Sequence, residues 1–193
     1  MKNRIKKEIK DSISVKQKIL EDEKLLKKIE NLANICLTSL QNGGKIIFAG
    51  NGGSFADAQH ISAEFTARYM FNRDSLASLC LGTNGSTISA IGNDYGYDQI
   101  FARELSSIGN KRDIFIPIST SGNSQNIIEA VKIANKKGIQ TVTLTGETGG
   151  KLETISETIK IPSSITGRVQ ESHIMIGHII CGIVEGEYFK ERV

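Results

Sequence analysis

Apolar residues recur every three to four positions through the first forty residues: Ile5, Ile9 and Ile13, then Leu25, Ile29, Leu32, Cys36 and Leu40. That spacing lines up one helical face, and Asn42-Gly43-Gly44 supplies a stop signal. Two long helices are therefore expected before the first strand. After them come short β-branched or apolar runs at about 45–49, 76–81, 113–118, 140–144 and 158–161, separated by segments of helical period such as Asn126 to Lys137. Strands alternating with helices predict an α/β fold with a parallel sheet covered on both faces. The final segment, Gly167 to Phe189, is apolar nearly all round, with Ile174, Met175, Ile176, Ile179, Ile180, Ile183 and Val184. Such a helix buries itself in the core or against another subunit. With the amphipathic N-terminal helices, it predicts a homo-oligomer.

Two turns stand where a strand should hand over to a helix. Gly50-Asn51-Gly52-Gly53-Ser54 follows Ile46-Ile47-Phe48-Ala49, and Ser119-Thr120-Ser121-Gly122-Asn123-Ser124 follows Ile114 to Ile118. Backbone N–H groups gather at such helix starts and attract anions. In open parallel sheets, ligands collect at these carboxyl ends of the strands. In the first turn, Gly52 and Gly53 permit backbone angles closed to other residues, and Ser54 is a candidate cap for a helix starting near Phe55. The same residues would also suit an ordinary glycine turn. The second turn is more telling. Ser119, Thr120, Ser121 and Ser124 offer four hydroxyls to a phosphate, whereas capping the next helix needs only one, and Gly122 is expected to keep the backbone flexible.

His60, Glu64 and Arg68 are spaced four apart on the helix after the first turn and form one polar stripe, either an exposed chain of side-chain pairs or part of a site. His173 and His178 lie among isoleucines near Gln170 and Glu171. A buried imidazole there needs a hydrogen bond or a ligand, and a bond to a backbone carbonyl suits His173 better than His178. Gln170 and His178 fall on nearly the same helical face.

Length and charge add little that contradicts this. At 193 residues, with no Pro/Ser-rich break, the chain is one domain with an N-terminal helical extension over residues 1–30 and a body over 31–193. The net charge of +3 comes from the extension, where ten Lys/Arg face six Asp/Glu, while the remainder holds 14 basic and 15 acidic residues. Interlaced acids make that extension a solvated face rather than a nucleic-acid or lipid surface. Cys36, Cys80 and Cys181 are far apart, without CxxC spacing, and read as core residues of a reduced compartment. No apolar run is long enough to cross a bilayer, so a cytoplasmic location is expected.

Taken together, GNGGSFADAQHISAEFTARY, AIGNDYGYDQIFARE, ISTSGNSQNIIEAVKIANKKG, TVTLTGETGGKL and RVQESHIMIGHIICGIVE resemble the phosphoheptose isomerases, sugar-isomerase (SIS) fold enzymes acting on sedoheptulose 7-phosphate. The resemblance runs from about Ile29 to the C-terminus. It implies a flavodoxin-like three-layer αβα sandwich with a five-stranded parallel sheet. It also implies conversion of D-sedoheptulose 7-phosphate into D-glycero-D-manno-heptose 7-phosphate, the opening step in making heptose for bacterial surface polysaccharide, with no nucleotide or redox cofactor. In this family Glu64 would be the base and His178 its proton-transfer partner. Asn51, Gly52, Gly53 and Ser54 would surround the sugar, with Asn93 and Asp94 in a GND turn and Gln170 nearby. Ser119, Thr120, Ser121 and Ser124 would hold the phosphate. Some members bind zinc through residues matching His60, Glu64, Gln170 and His178, and a tetramer with shared active sites is implied. The alternatives are a non-catalytic SIS regulator that binds a replication initiator, or an isomerase of another sugar phosphate such as arabinose 5-phosphate. The presence of both Glu64 and His178 favours the heptose enzyme.

Overall fold

α1 (Lys2–Leu20) and α2 (Glu23–Gln41) occupy the stretch whose apolar spacing predicts helix. Asp22 separates them: its carboxylate accepts the N–H groups of Lys24 and Leu25 at 3.1 and 3.0 Å, capping α2. The computed structural model describes residues 1–190. Beyond α2, strands β1 (Ile46–Gly50), β2 (Ser78–Cys80), β3 (Ile114–Ser119), β4 (Gln140–Thr145) and β5 (Glu157–Lys160) form one parallel sheet in the order β2-β1-β3-β4-β5. The helices are α3 (Gly53–Thr66), α4 (Gly85–Tyr95), α5 (Ile100–Ile108), α6 (Gln125–Lys137) and α7 (Thr166–Phe189). Short 3-10 turns cover Tyr97–Gln99 and Gly150–Thr154.

The pleat of the sheet divides its side chains between two cores. Ile46, Phe48, Ile114, Ile116 and Ile118 pack with α2, α3 and α7, while Ile47, Ala49 and Phe115 pack with α5 and α6. Every residue of β1 and β3 is buried, which is why these strands read as unbroken apolar runs instead of alternating ones. The result is the expected three-layer αβα sandwich with flavodoxin-like strand order. α2 runs unbroken across residue 30 and buries Leu25, Ile29, Leu32 and Cys36 in the first core, so no break in the chain marks the expected start of the body. α1 buries only Val15 and Ile19. Its Ser12 hydroxyl donates to Glu171 Oε2 at 2.7 Å, and Arg168 Nη1 of α7 donates to the Glu8 carbonyl at 2.7 Å.

Cys36, Cys80 and Cys181 are free and buried, and burial pushes their thiols above the ordinary range. Among the described residues no helix is long and apolar enough to cross a membrane. Strand order reverses between β1 and β3, the crevice where open α/β sheets place their ligands. Both glycine and serine turns open there.

Candidate active site at the carboxyl ends of β1 and β3

Gly50 of β1 pairs in register with Ile118 of β3, so the two turns begin on neighbouring strands. A reciprocal amide pair joins them. Asn51 Nδ2 donates to Asn126 Oδ1, and Asn126 Nδ2 donates to Asn51 Oδ1, both at 2.9 Å. Tyr97 Oη donates to the same Asn51 oxygen at 3.2 Å. α3 and its cap both come two residues earlier than expected. Gly52 is its N-cap at φ +55, Ser54 lies inside the first turn, and the Ser54 side chain is buried and makes no capping bond. The expectation that Ser54 caps this helix is therefore corrected: Gly52 fills the cap through its backbone, which a side chain would strain. At Gly53 an added Cβ would come within 2.6 Å of Gln170 Nε2, so the Gln170 amide of α7 lies directly on the start of α3.

Gly122, expected to keep the second turn flexible, is instead closely fitted against another loop. That residue sits at φ +66, and a Cβ there would overlap the Gly149 carbonyl. Gly150, at φ +57, meets Ser121 in the same way. The turn is also bonded along its length: Gly146 N–H donates to the Thr120 carbonyl at 2.9 Å, Leu152 N–H to the Gly122 carbonyl at 3.1 Å and Lys151 N–H to Asn123 Oδ1 at 3.0 Å. Ser119 and Ser124 hydroxyls lie 3.1 Å apart across it, and Ser121 Oγ accepts the Asn123 N–H at 3.1 Å. Ser124 is the N-cap of α6, yet no side chain caps that helix. The first N–H groups of α6 are thus left without a side-chain cap, beside the paired hydroxyls of Ser119 and Ser124, a setting that suits an anion.

The wall of the site comes from α3 and α7. His60 Nε2 is 3.0 Å from Glu64 Oε1, and His178 Nε2 is 3.1 Å from His60 Nε2. Their three ligand atoms lie within 4.8 Å of one another. The Tyr69 ring stacks on His178 with centroids 5.4 Å apart and planes at 5°. α3 and α7 approach closely because Gly177 gives its missing side chain's space to Ile61. One carboxylate and two imidazoles converging this way form either a proton-transfer chain or three ligands of a metal ion. The donors suit zinc, whose tetrahedral ligand atoms stand about 3.4 Å apart. Gln170 lies on α7 about two turns before His178, against the start of α3.

Burial pushes the Asp57 carboxyl above its usual range, against the opposing pull of His60. Its Oδ2 is buried without a partner among the described residues. His173 behaves as expected: it is fully buried with Nε2 3.2 Å from the Thr145 carbonyl, and burial drags its pKa down to about 4.

Asn93 and Asp94 do not form a turn. They close α4, a helix with no buried residue, where both are exposed and Asn93 Nδ2 donates to Asp94 Oδ1 at 2.8 Å. Nothing among the described residues ties either to His60, Glu64 or His178. Asn126 and Tyr97, which hold Asn51, were missed by sequence reasoning; an asparagine opening the apolar face Ile127-Ile128 was the available signal. Beside the first turn is a cavity of about 150 Å³ lined in part by Asn51, Gly52, Phe55, Ile88 and Tyr97. A larger groove of about 1030 Å³ runs along α7 past Ile174, Met175, Ile179 and Ile183 and meets the wall at Tyr69 and His178. Its apolar lining suits protein better than sugar hydroxyls.

Residues 9–146 match the SIS domain family. The chain is 53% identical over 193 residues to a phosphoheptose isomerase of Aneurinibacillus thermoaerophilus, covering 100% of this chain and 98% of the relative. It is also 53% identical to that of Sulfurimonas denitrificans over 194 residues, covering 100% of both. Among solved structures, the phosphoheptose isomerase of Neisseria gonorrhoeae superposes with a TM-score of 0.89 at 38% identity, covering 96% of this chain and 98% of that one.

Proposed function

The chain belongs to the phosphoheptose isomerase family of SIS-domain proteins, and from that membership we propose how its residues divide the work of one reaction. It is an aldose–ketose isomerase, converting D-sedoheptulose 7-phosphate into D-glycero-D-manno-heptose 7-phosphate. The observation that carries the residue assignment is the convergence of His60, Glu64 and His178 within 4.8 Å. The Glu64 carboxylate removes the proton from C1 of the ketose while His178 gives a proton to the C2 carbonyl oxygen, forming the enediol. Glu64 then returns its proton to C2 as the C1 hydroxyl gives its proton to His178, leaving the C1 aldehyde. No electrons leave the substrate, so no nucleotide or redox cofactor takes part.

Ser119, Thr120, Ser121 and Ser124 hold the phosphate with the N-terminus of α6. Asn51, Gly52, Gly53, Ser54 and Gln170 surround the sugar, with Asn93 and Asp94 reaching it from the exposed end of α4. Zinc held by His60, Glu64 and His178 would polarise the oxygens of the reacting carbons; Gln170, which lies on the start of α3, would become a fourth ligand only by leaving Gly53. A carboxylate bound that way is a weaker base, so the two uses of Glu64 compete.

The assembly is a homotetramer with shared sites in the cytoplasm, in which the helical extension of residues 1–30 serves oligomerisation. Ile5, Ile9 and Ile13 of α1 are 60%, 55% and 59% exposed, an apolar stripe that a second copy would cover, as it would the groove along α7. Glu64 lies roughly 16 Å beyond Gly53 along α3, farther than the roughly 10 Å span of an extended heptose phosphate. A phosphate turn of one subunit serving the wall of another accounts for that separation.

The test is direct. Purified protein given sedoheptulose 7-phosphate should release an aldoheptose phosphate, assayed with and without a zinc chelator. No turnover by the zinc-replete protein would overturn the isomerase reading in favour of a binding-only SIS regulator.

A further inference from the structure

Glu64 and His178 sit on different helices, and an ion pair at the far end of both helices ties them together. About two turns beyond His178 on α7, Glu185 is fully buried. Its Oε1 accepts the Tyr69 N–H at 2.9 Å and Arg73 Nε at 2.8 Å, and its Oε2 accepts the Met70 N–H at 2.6 Å. The rest of the Arg73 guanidinium serves the end of α3. Nη2 donates to the Glu64 carbonyl at 2.8 Å, and Nη1 donates to the carbonyls of Phe65, Ala67 and Asp74 at 2.7, 3.1 and 3.0 Å. The two side chains are only 2% and 1% exposed.

Three features set this pair apart from a generic core contact. First, the last carbonyls of a helix have no partner within it; here one planar fork takes over those of the turn that bears Glu64. Second, the carboxylate fixes the backbone of Tyr69, whose ring covers a face of His178. Third, a buried ion pair gains little over apolar packing once its desolvation is counted, while its geometry is strict. Burial would raise the Glu185 pKa, but the Tyr69 and Met70 N–H groups and Arg73 hold it below the ordinary carboxylate value.

We propose that Arg73 and Glu185 are positioning residues for the isomerisation: they set the spacing of Glu64 from His178 and lay the Tyr69 ring against the imidazole. This rests on the assignment of Glu64 and His178 as the reacting pair. A displacement of about 1 Å at such a pair can cost on the order of 100-fold in rate. The phosphate turn lies on other elements and should not notice.

The experiment compares Arg73→Lys, Tyr69→Leu and Tyr69→Phe with the unmodified full chain. Lysine keeps the charge but cannot reach several carbonyls at once. Arg73→Lys and Tyr69→Leu should each lower kcat by roughly 10- to 100-fold with KM changed less than about threefold, and Tyr69→Phe should restore kcat to within about threefold. A second readout needs no turnover. With only three histidines in the chain, the His178 ring signal can be followed by selective ¹³C labelling. The ring-current shift from Tyr69 should vanish in Tyr69→Leu, persist in Tyr69→Phe and diminish in Arg73→Lys, which removes no aromatic ring. Native kcat with an unmoved His178 signal in Arg73→Lys would overturn the proposal. So would a parallel loss of kcat, KM and melting temperature in Tyr69→Leu, the mark of general loosening. Should Arg73→Lys fail to fold, the two Tyr69 variants still decide. If the unmodified protein does not turn over, the isomerase reading falls, while the His178 signal still judges the clamp.

Discussion

The serine turn after β3 and the wall made by α3 and α7 are two ways of building half a site. The turn is six consecutive residues, shaped by backbone bonds and by glycines that admit a second loop at contact distance. The wall joins side chains 118 residues apart, and its geometry exists only once two helices have packed. Holding a phosphate needs donors pointing inward, which a local turn supplies. Moving a proton between neighbouring carbons needs two side chains placed to within fractions of an ångström, which only tertiary structure supplies. Damage to the two regions should therefore read out differently, as lost affinity in one and lost rate in the other.

The largest separation of the two is expected from Glu64→Gln. The amide keeps the volume and a hydrogen bond to His60 but cannot take a proton from carbon, so kcat should fall by roughly 10²- to 10⁴-fold. Glu64 is only part-buried, and the phosphate turn is untouched, so melting temperature and competition by inorganic phosphate should stay near native values. Full turnover would remove Glu64 from the role of base. Gly122→Ala is the converse and somewhat smaller. It asks alanine to adopt φ +66 against the Gly149 carbonyl, which should cost about 1–3 kcal/mol, seen as a lower urea midpoint. KM for the sugar phosphate should rise more than kcat falls. An unchanged KM would mean that the turn does not hold the phosphate.

The same contrast explains what could be read from the chain beforehand. The five strands and the long first and last helices were legible because buried parallel strands and amphipathic helices each impose a period on the sequence. The serine turn was legible as a turn because it is contiguous. α4 was not: it buries no residue, so no apolar period betrays it, and its end was expected to be a turn. The wall was only half visible. Spacing put His60 and Glu64 on one face, but His178 joined them through family resemblance alone. Arg73 with Glu185, and Asn51 with Asn126, pair residues 112 and 75 positions apart. A single sequence carries no period for such pairs. The close fit at Gly122 was invisible for the same reason, since its neighbour Gly149 lies on another loop.

His173 joins the two regions and gives the smallest effect. It belongs to α7, yet its imidazole bonds the carbonyl of Thr145, the strand partner of Ser119 where the serine turn begins. Its pKa is pulled down to about 4, chiefly by burial and against the bond to Thr145. An unfolded chain takes up a proton near the ordinary histidine value of about 6.5, while the folded one refuses it until about pH 4. Stability should therefore be lost as pH falls through that window, by at most about 1.4 kcal/mol per pH unit for one proton. Asp57 and Glu104, whose carboxyls are raised mainly by burial, act in the opposite direction at the acid end. Glu185, held low, begins to cost stability only below the ordinary carboxylate value. The difference between unmodified protein and His173→Gln isolates the histidine, because the carboxylates are common to both. Urea midpoints measured from pH 7.5 to 4.5 should fall more steeply in the unmodified protein. Parallel curves would mean that His173 takes up its proton at the same pH folded and unfolded, and that burial beside the Thr145 carbonyl does not pull its pKa down.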